Sequence, residues 1–262
     1  MKATIKFIAI AVLFTGFISC KKDTKEPEPT PEPTPVATTG TLKIQFDHLV
    51  GTTPLVLNQN YLNPKLDTFK VSKLKYYISN IVITKNDNST FVEPESYYLL
   101  DASNPLSTVL TLTNVPFASY KSISFMLGVD SARSASGAQT GALSQSNGMY
   151  WMWASGYIMF KLEGTSPQSG ASNKSLVYHI GGYSGVNKTQ RNYNLNFGSP
   201  TANVSSGTTP KVHLSVDINE FFKNPILIDV ATQYFQMATN ANAKMYADNF
   251  ADMIKFEHVH ND

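Results

Sequence analysis

Residues 41–50, "TLKIQFDHLV", alternate apolar Leu42, Ile44 and Phe46, continued by His48, against polar Lys43, Gln45 and Asp47. Successive strand side chains point to opposite faces, so a period of two describes a half-buried β-strand and not a helix. Six more β-branched or aromatic runs follow: "SKLKYYISNIVIT" at 72–84, "KSISFMLGVD" at 121–130, "YWMWASGYIMFKLEG" at 150–164, "SLVYHIGGY" at 175–183, "RNYNLNF" at 191–197 and "KVHLSVDI" at 211–218. Gly, Asn, Pro or Ser bounds these runs, as turns between strands require. The pattern predicts an all-β chain, an antiparallel β-sandwich. Helix signals are confined to Ile218–Phe222 and to "ANAKMYADNFADMIKF" at 241–256, which predicts a short helix or two near the C-terminus.

Upstream of this domain the chain carries an address. Lys2 and Lys6 precede an apolar run from Phe7 to Ile18, then Ser19 and the single cysteine, Cys20. A basic start and a hydrophobic stretch too short to span a bilayer describe a secretory signal over 1–19. A small residue before Cys20 resembles the lipobox of bacterial lipoproteins, which implies cleavage before Cys20 and its lipidation. Residues 20–39 continue into "KKDTKEPEPTPEPTPVATT", whose alternating prolines form neither a helix nor a central strand. As an extended tether at about 3.1 Å per residue, Lys21 to Thr39 reaches roughly 60 Å from a membrane surface. Residues 40–262 then form the folded domain.

The formal charge of +2 includes Lys2 and Lys6, so it falls to about zero once the signal is removed. A balanced chain with 15% charged residues has no electrostatic footprint for nucleic acid. With one cysteine, no disulfide forms within the domain.

Both tryptophans, Trp151 and Trp153, stand one residue apart in "GMYWMWASGYIMF" at 148–160. On one strand face their indoles would lie side by side, as core, binding platform or site of chemistry. The five histidines are the other distinctive set. His258 and His260 form "HVH" near the C-terminus, and in extended chain both imidazoles face one side, as two ligands of a metal do; a solvated, fraying tail is the alternative. His48 shares the parity of the core, and His179 precedes two glycines that permit close backbone approach. His213 is out of phase with Val212, Leu214 and Val216, which places it on a solvated face.

Taken together, "FDHLVGTTPLVLNQNYLNP", "VSKLKYYISNIVI", "FMLGVDSARSASGAQTGALSQSNGMYWMWASGYIMFKLEG", "YHIGGY" and "FEHVHND" resemble the MbnP-like family of copper-binding proteins, in order and across the whole domain. The segment after Cys20 is similar to that of Bacteroidetes-type lipoproteins, which implies an outer-membrane lipoprotein facing the periplasm or the cell surface. The family resemblance implies a non-enzymatic Cu(I) protein for copper uptake or sequestration. Its metal is held by histidines with a tryptophan oxidised to kynurenine, whose aromatic amine supplies the nitrogen donor that indole lacks. Carried to this chain, the ligands are His48 and His260, with His258 and His179 in reserve, and the modified residue is Trp153 or Trp151. Implied partners are a di-haem enzyme of the cytochrome c peroxidase type, which carries out the oxidation, and an outer-membrane receptor. These ligands lie far apart along the chain, so the reading requires His48, the tryptophans and the tail to meet in one pocket.

Two other classes compete. The aromatic residues could form a surface glycan-binding platform, which needs exposed coplanar rings. A hydrolase using a histidine with Asp217 is disfavoured because no G-x-S-x-G nucleophile motif and no zinc-protease spacing occurs.

Overall fold

The structure is a computed structural model that describes residues 38–154 and 156–262. The signal segment 1–19, Cys20 and the tether as far as residue 37 lie outside the described residues. Among the described residues no helix is long and apolar enough to cross a membrane.

The strands are β1 (Thr39–Val50), β2 (Thr53–Pro54), β3 (Tyr61–Leu62), β4 (Thr68–Lys85), β5 (Thr90–Val92), β6 (Tyr97–Asp101), β7 (Val109–Pro116), β8 (Ala118–Leu127), β9 (Tyr150–Trp151), β10 (Gly156–Thr165), β11 (Ser175–Gly181), β12 (Arg191–Asn196), β13 (Ala202–Val204), β14 (Pro210–Asp217), β15 (Phe235–Ala238) and β16 (Ile254–Asn261). Three short helices join them: α1 (Ser131–Ala135), α2 (Ile218–Phe221) and α3 (Ala241–Asn249). The smaller sheet runs β16-β14-β1-β2, with β7 also on β1; the larger runs β12-β8-β4-β10-β11-β15, with shorter strands attached to β8, β4 and β10. The two sheets enclose one main core.

The alternation read in residues 41–50 is realised in β1. Leu42, Ile44 and Phe46 are buried, and in the neighbouring strand Val212, Leu214 and Val216 are buried with them. Opposite them, β4 buries Phe69 and Val71, then Leu74, Tyr76 and Ile78, then Ile81 and Ile83. The two three-residue steps in that series coincide with register shifts, one between Glu163 and Gly164 in the pairing with β10 and one between Ser79 and Val82 in the pairing with β8. Each irregularity resets the parity, so one long strand keeps its apolar residues on the core side while it bends. Asn80 takes the positive φ of 55° at the second.

A smaller cluster of Tyr77, Val129, Leu143, Met149, Trp151, Tyr157, Ile158 and Met159 is separate from the main core. Tyr76 points between the sheets and Tyr77 the opposite way, so this cluster covers the outer face of the large sheet.

Three expectations need correction. The sandwich is not wholly antiparallel, since β1 pairs with β14, and β11 with β15, in parallel. The run at 150–164 is not one strand: β9 ends at Trp151, Met152–Ala154 turn, and β10 begins at Gly156. The C-terminal helix stops at Asn249, after which Ile254–Asn261 pairs with β14 as an edge strand and is not a fraying tail. The α2 helix forms where its signal lay, at Ile218–Phe221, with the Asp217 carboxylate accepting from the Asn219 N–H as its N-cap.

The irregularity between β4 and β10 yields a test. A Cβ at Gly164 would lie 1.9 Å from the Lys70 carbonyl oxygen, in the backbone of the paired strand. Gly164→Ala is expected to lower stability by about 2 kcal/mol or more through forced backbone displacement, measured as the midpoint of urea unfolding. An unchanged midpoint would show that the two strands are not in this register.

Candidate metal centre

The outward face of the small sheet gathers three histidines. On β14, His213 alternates with the buried Val212 and Leu214 and therefore faces out. On β16 its partner in register is His258, and His260 lies opposite Lys211. One ligand atom from each of His213, His258 and His260 lies within 4.8 Å of the others.

A bulge creates this arrangement. Ile254 and Phe256 share the inward parity, and an uninterrupted strand would send His258 and His260 inward after them. The register instead shifts between His213 and Leu214, which pair with His258 and Phe256, so that Glu257 is the extra residue. Beyond it Val259 is the buried residue and the two histidines face solvent.

The rings are close enough to act together. His258 and His260 approach Nε2 to Nε2 at 3.0 Å, which requires one nitrogen to donate and the other to accept. His213 stacks on His258 with centroids 4.4 Å apart and planes at 14°, and meets His260 edge-on at 5.3 Å. Loss of solvation, followed by repulsion from His213 and His260, holds His258 below the ordinary imidazole value. A depressed pKa leaves the ring neutral near pH 7, the form that binds metals. At bond lengths of about 2.0–2.1 Å, two nitrogens on one ion are separated by no more than roughly 4 Å. His258 and His260 already meet that limit, and their exposed side chains have freedom to close on an ion with His213.

Behind His213 stands a carboxylate. His213 Nδ1 lies 2.9 Å from Asp47 Oδ2, and Gln45 Nε2 donates to Asp47 Oδ1 at 2.6 Å. Both partners come from the outward face of β1, where Gln45 is directly opposite His213 in the parallel register.

The other residues expected to be ligands lie elsewhere. His48 is on the inner face of β1, where the Tyr76 hydroxyl lies 2.9 Å from its Nε2 and the rings meet at 90°. Burial lowers its pKa to about 4, against a smaller opposing effect of Asp47. His179 is buried on β11 with Nε2 2.8 Å from Glu163 Oε1; burial is also the main cause of its lowered pKa. Trp151 is buried in the cluster on the outer face of the large sheet, against the backbone of Gly181, where a Cβ would come within 2.6 Å of the indole. Trp153 packs on it with centroids 5.0 Å apart and planes at 33°, and is 63% exposed. The indoles do lie side by side, as expected, but one is buried and the pair is not a coplanar exposed platform.

The single pocket of His48, the tryptophans and the C-terminal tail is therefore not what the chain builds. Strand parity puts His48 between the sheets, the HVH pair on the outside of the small sheet and the tryptophans on the outside of the large one. His258 and His260 do face one side together. The residues missed were His213, Asp47 and Gln45. Their outward parity is legible in the sequence, but the adjacency of the strands that carry them is not.

A sequence model of the MbnP family matches residues 39–244. That span includes His213 and ends before His258 and His260. Among solved structures, MbnP from Methylosinus trichosporium aligns with a TM-score of 0.53 at 12% sequence identity, covering 86% of this chain and 99% of that one. At such low identity the likeness establishes the fold alone. No curated protein matches the chain significantly.

The placement of His48 predicts a pH dependence. Its folded pKa of about 4 is below the ordinary 6.5, so the unfolded chain takes up the proton first as pH falls. The contribution is fully present above about pH 6.5 and is lost as pH falls toward 4, by up to about 3 kcal/mol. Urea unfolding at pH 7 and pH 4 should show this loss in the parent relative to His48→Gln, which keeps a polar partner for Tyr76. A variant that tracks the parent at both pH values would contradict a half-buried, neutral His48.

Proposed function

The chain belongs to the MbnP family, and on that premise we propose that it is a non-enzymatic, lipid-anchored cell-envelope protein that holds copper through His213, His258 and His260. The observation that carries the proposal is the convergence of three imidazoles from two paired strands on one open sheet face. Neutral imidazole suits copper, zinc and other late transition metals. The resemblance to copper-binding relatives selects copper among them.

In this reading copper is cargo. The centre lies on an exposed face, with His258 and His260 at the surface, which suits uptake or sequestration with exchange to a partner. Lipidation at Cys20 and the proline-rich tether hold the domain at the outer membrane, within reach of a receptor. Trp153 is the tryptophan accessible to a di-haem modifying enzyme, since Trp151 is buried. A kynurenine at either position is not a ligand of the histidine centre, because both lie on the other side of the sandwich.

Glycan binding has less support. It requires a flat, exposed aromatic surface, and the indoles instead cover one another.

Copper titration against a competing chelator tests the proposal. His213→Ala, His258→Ala and His260→Ala are each expected to weaken binding by at least about tenfold, whereas His179→Gln leaves it unchanged. A chain lacking all three histidines that binds copper like the parent would refute it.

A further inference from the structure

We propose that Asp47, itself held by Gln45, is a positioning residue for the histidine centre, fixing the tautomer and orientation of His213 so that Nε2 faces the ion. This rests on the reading of His213 as a ligand.

The argument is one of donors and acceptors. An ionised carboxylate only accepts hydrogen bonds. Asp47 Oδ2 lies 2.9 Å from His213 Nδ1, so in the neutral ring Nδ1 carries the proton and Nε2 has the free lone pair. The second carboxylate oxygen accepts from the Gln45 amide at 2.6 Å, which fixes the rotation of the carboxylate in turn. Gln45 and Asp47 project from the same face of β1, with Gln45 in register with His213. Gln45, Asp47 and His213 thus form a chain of hydrogen bonds that crosses two parallel strands and ends at Nδ1 of the ligand ring, leaving Nε2 free.

Stacking completes the constraint. His258 covers the His213 ring at 4.4 Å and nearly parallel, which limits tilting of the ring, but stacking does not distinguish one ring face from the other. A 180° flip would place carbon where Nδ1 now stands and lose the Asp47 hydrogen bond. The carboxylate therefore supplies the choice that stacking leaves open. Asp47 is partly exposed, with 39% of its side chain accessible, so the pair contributes little to folding and its role is orientation. Carboxylates behind metal-binding imidazoles act in this way in general, raising ligand basicity as well as fixing direction.

The tautomer can be read without metal. Imidazole nitrogen shifts of His213, measured by nitrogen-15 NMR on the metal-free full-length chain at pH 7.5, are expected to show Nδ1 protonated and Nε2 bare. In Asp47→Asn the side-chain amide can donate to Nδ1, and the pattern should invert. Copper affinity in Asp47→Asn should fall by about 10- to 100-fold, with an unchanged thermal unfolding midpoint, and Gln45→Ala should show a smaller loss in the same direction. A parent His213 protonated at Nε2, a tautomer identical in parent and Asp47→Asn, or an unchanged copper affinity would overturn the role of Asp47. Failure of the parent to take up copper would instead overturn the metal-binding reading, and the metal-free spectra keep the two failures apart.

Discussion

The parallel pairing of β1 with β14 is the constraint on which the rest of this molecule depends. It joins the beginning of the domain to its end, bringing Asp47 beside His213 across 166 positions of chain. Its inner side supplies Leu42, Ile44, Phe46, Val212, Leu214 and Val216 to the core. Each fully buried aliphatic side chain contributes roughly 1.5–3 kcal/mol, so the register is held by the core side of the strands. The outer side receives its geometry as a consequence.

That division explains how an exposed cluster can be well placed. Open surface side chains are costly to order, and a centre of three histidines and a carboxylate would be loose if it depended on its own contacts. Here the backbone under it is fixed by apolar burial on the opposite face. The bulge at Glu257 then turns His258 and His260 outward while returning Val259 to the core. A single extra residue thus decides whether the HVH pair is internal or external.

The two remaining histidines follow a different logic. His48 and Tyr76 satisfy one another between the sheets, and His179 and Glu163 do so on the large sheet. Their depressed imidazole pKa values arise from burial, without convergence on a common point. A perturbed pKa marks a functional site only when geometry agrees. In this chain the geometric convergence is on an outer sheet face, where the half-buried His213 meets the exposed His258 and His260.

The sequence by itself determined the class of fold and the face of most strands, because strand parity and turn residues are local properties. The seven runs all contain strand, and the out-of-phase position of His213 and the same-side pairing of His258 with His260 follow from period-two geometry alone. What only the tertiary structure decided is which strands are neighbours and where parity is reset. The convergence of His48 with the tail failed on that point: both belong to the small sheet, but they occupy its opposite faces. The tryptophans went to the other sheet because β9 pairs with β10 and Trp151 packs on Gly181. Pairing between distant strands depends on the summed burial of many side chains, and a bulge depends on the register that pairing imposes, so neither is written in any short stretch of sequence.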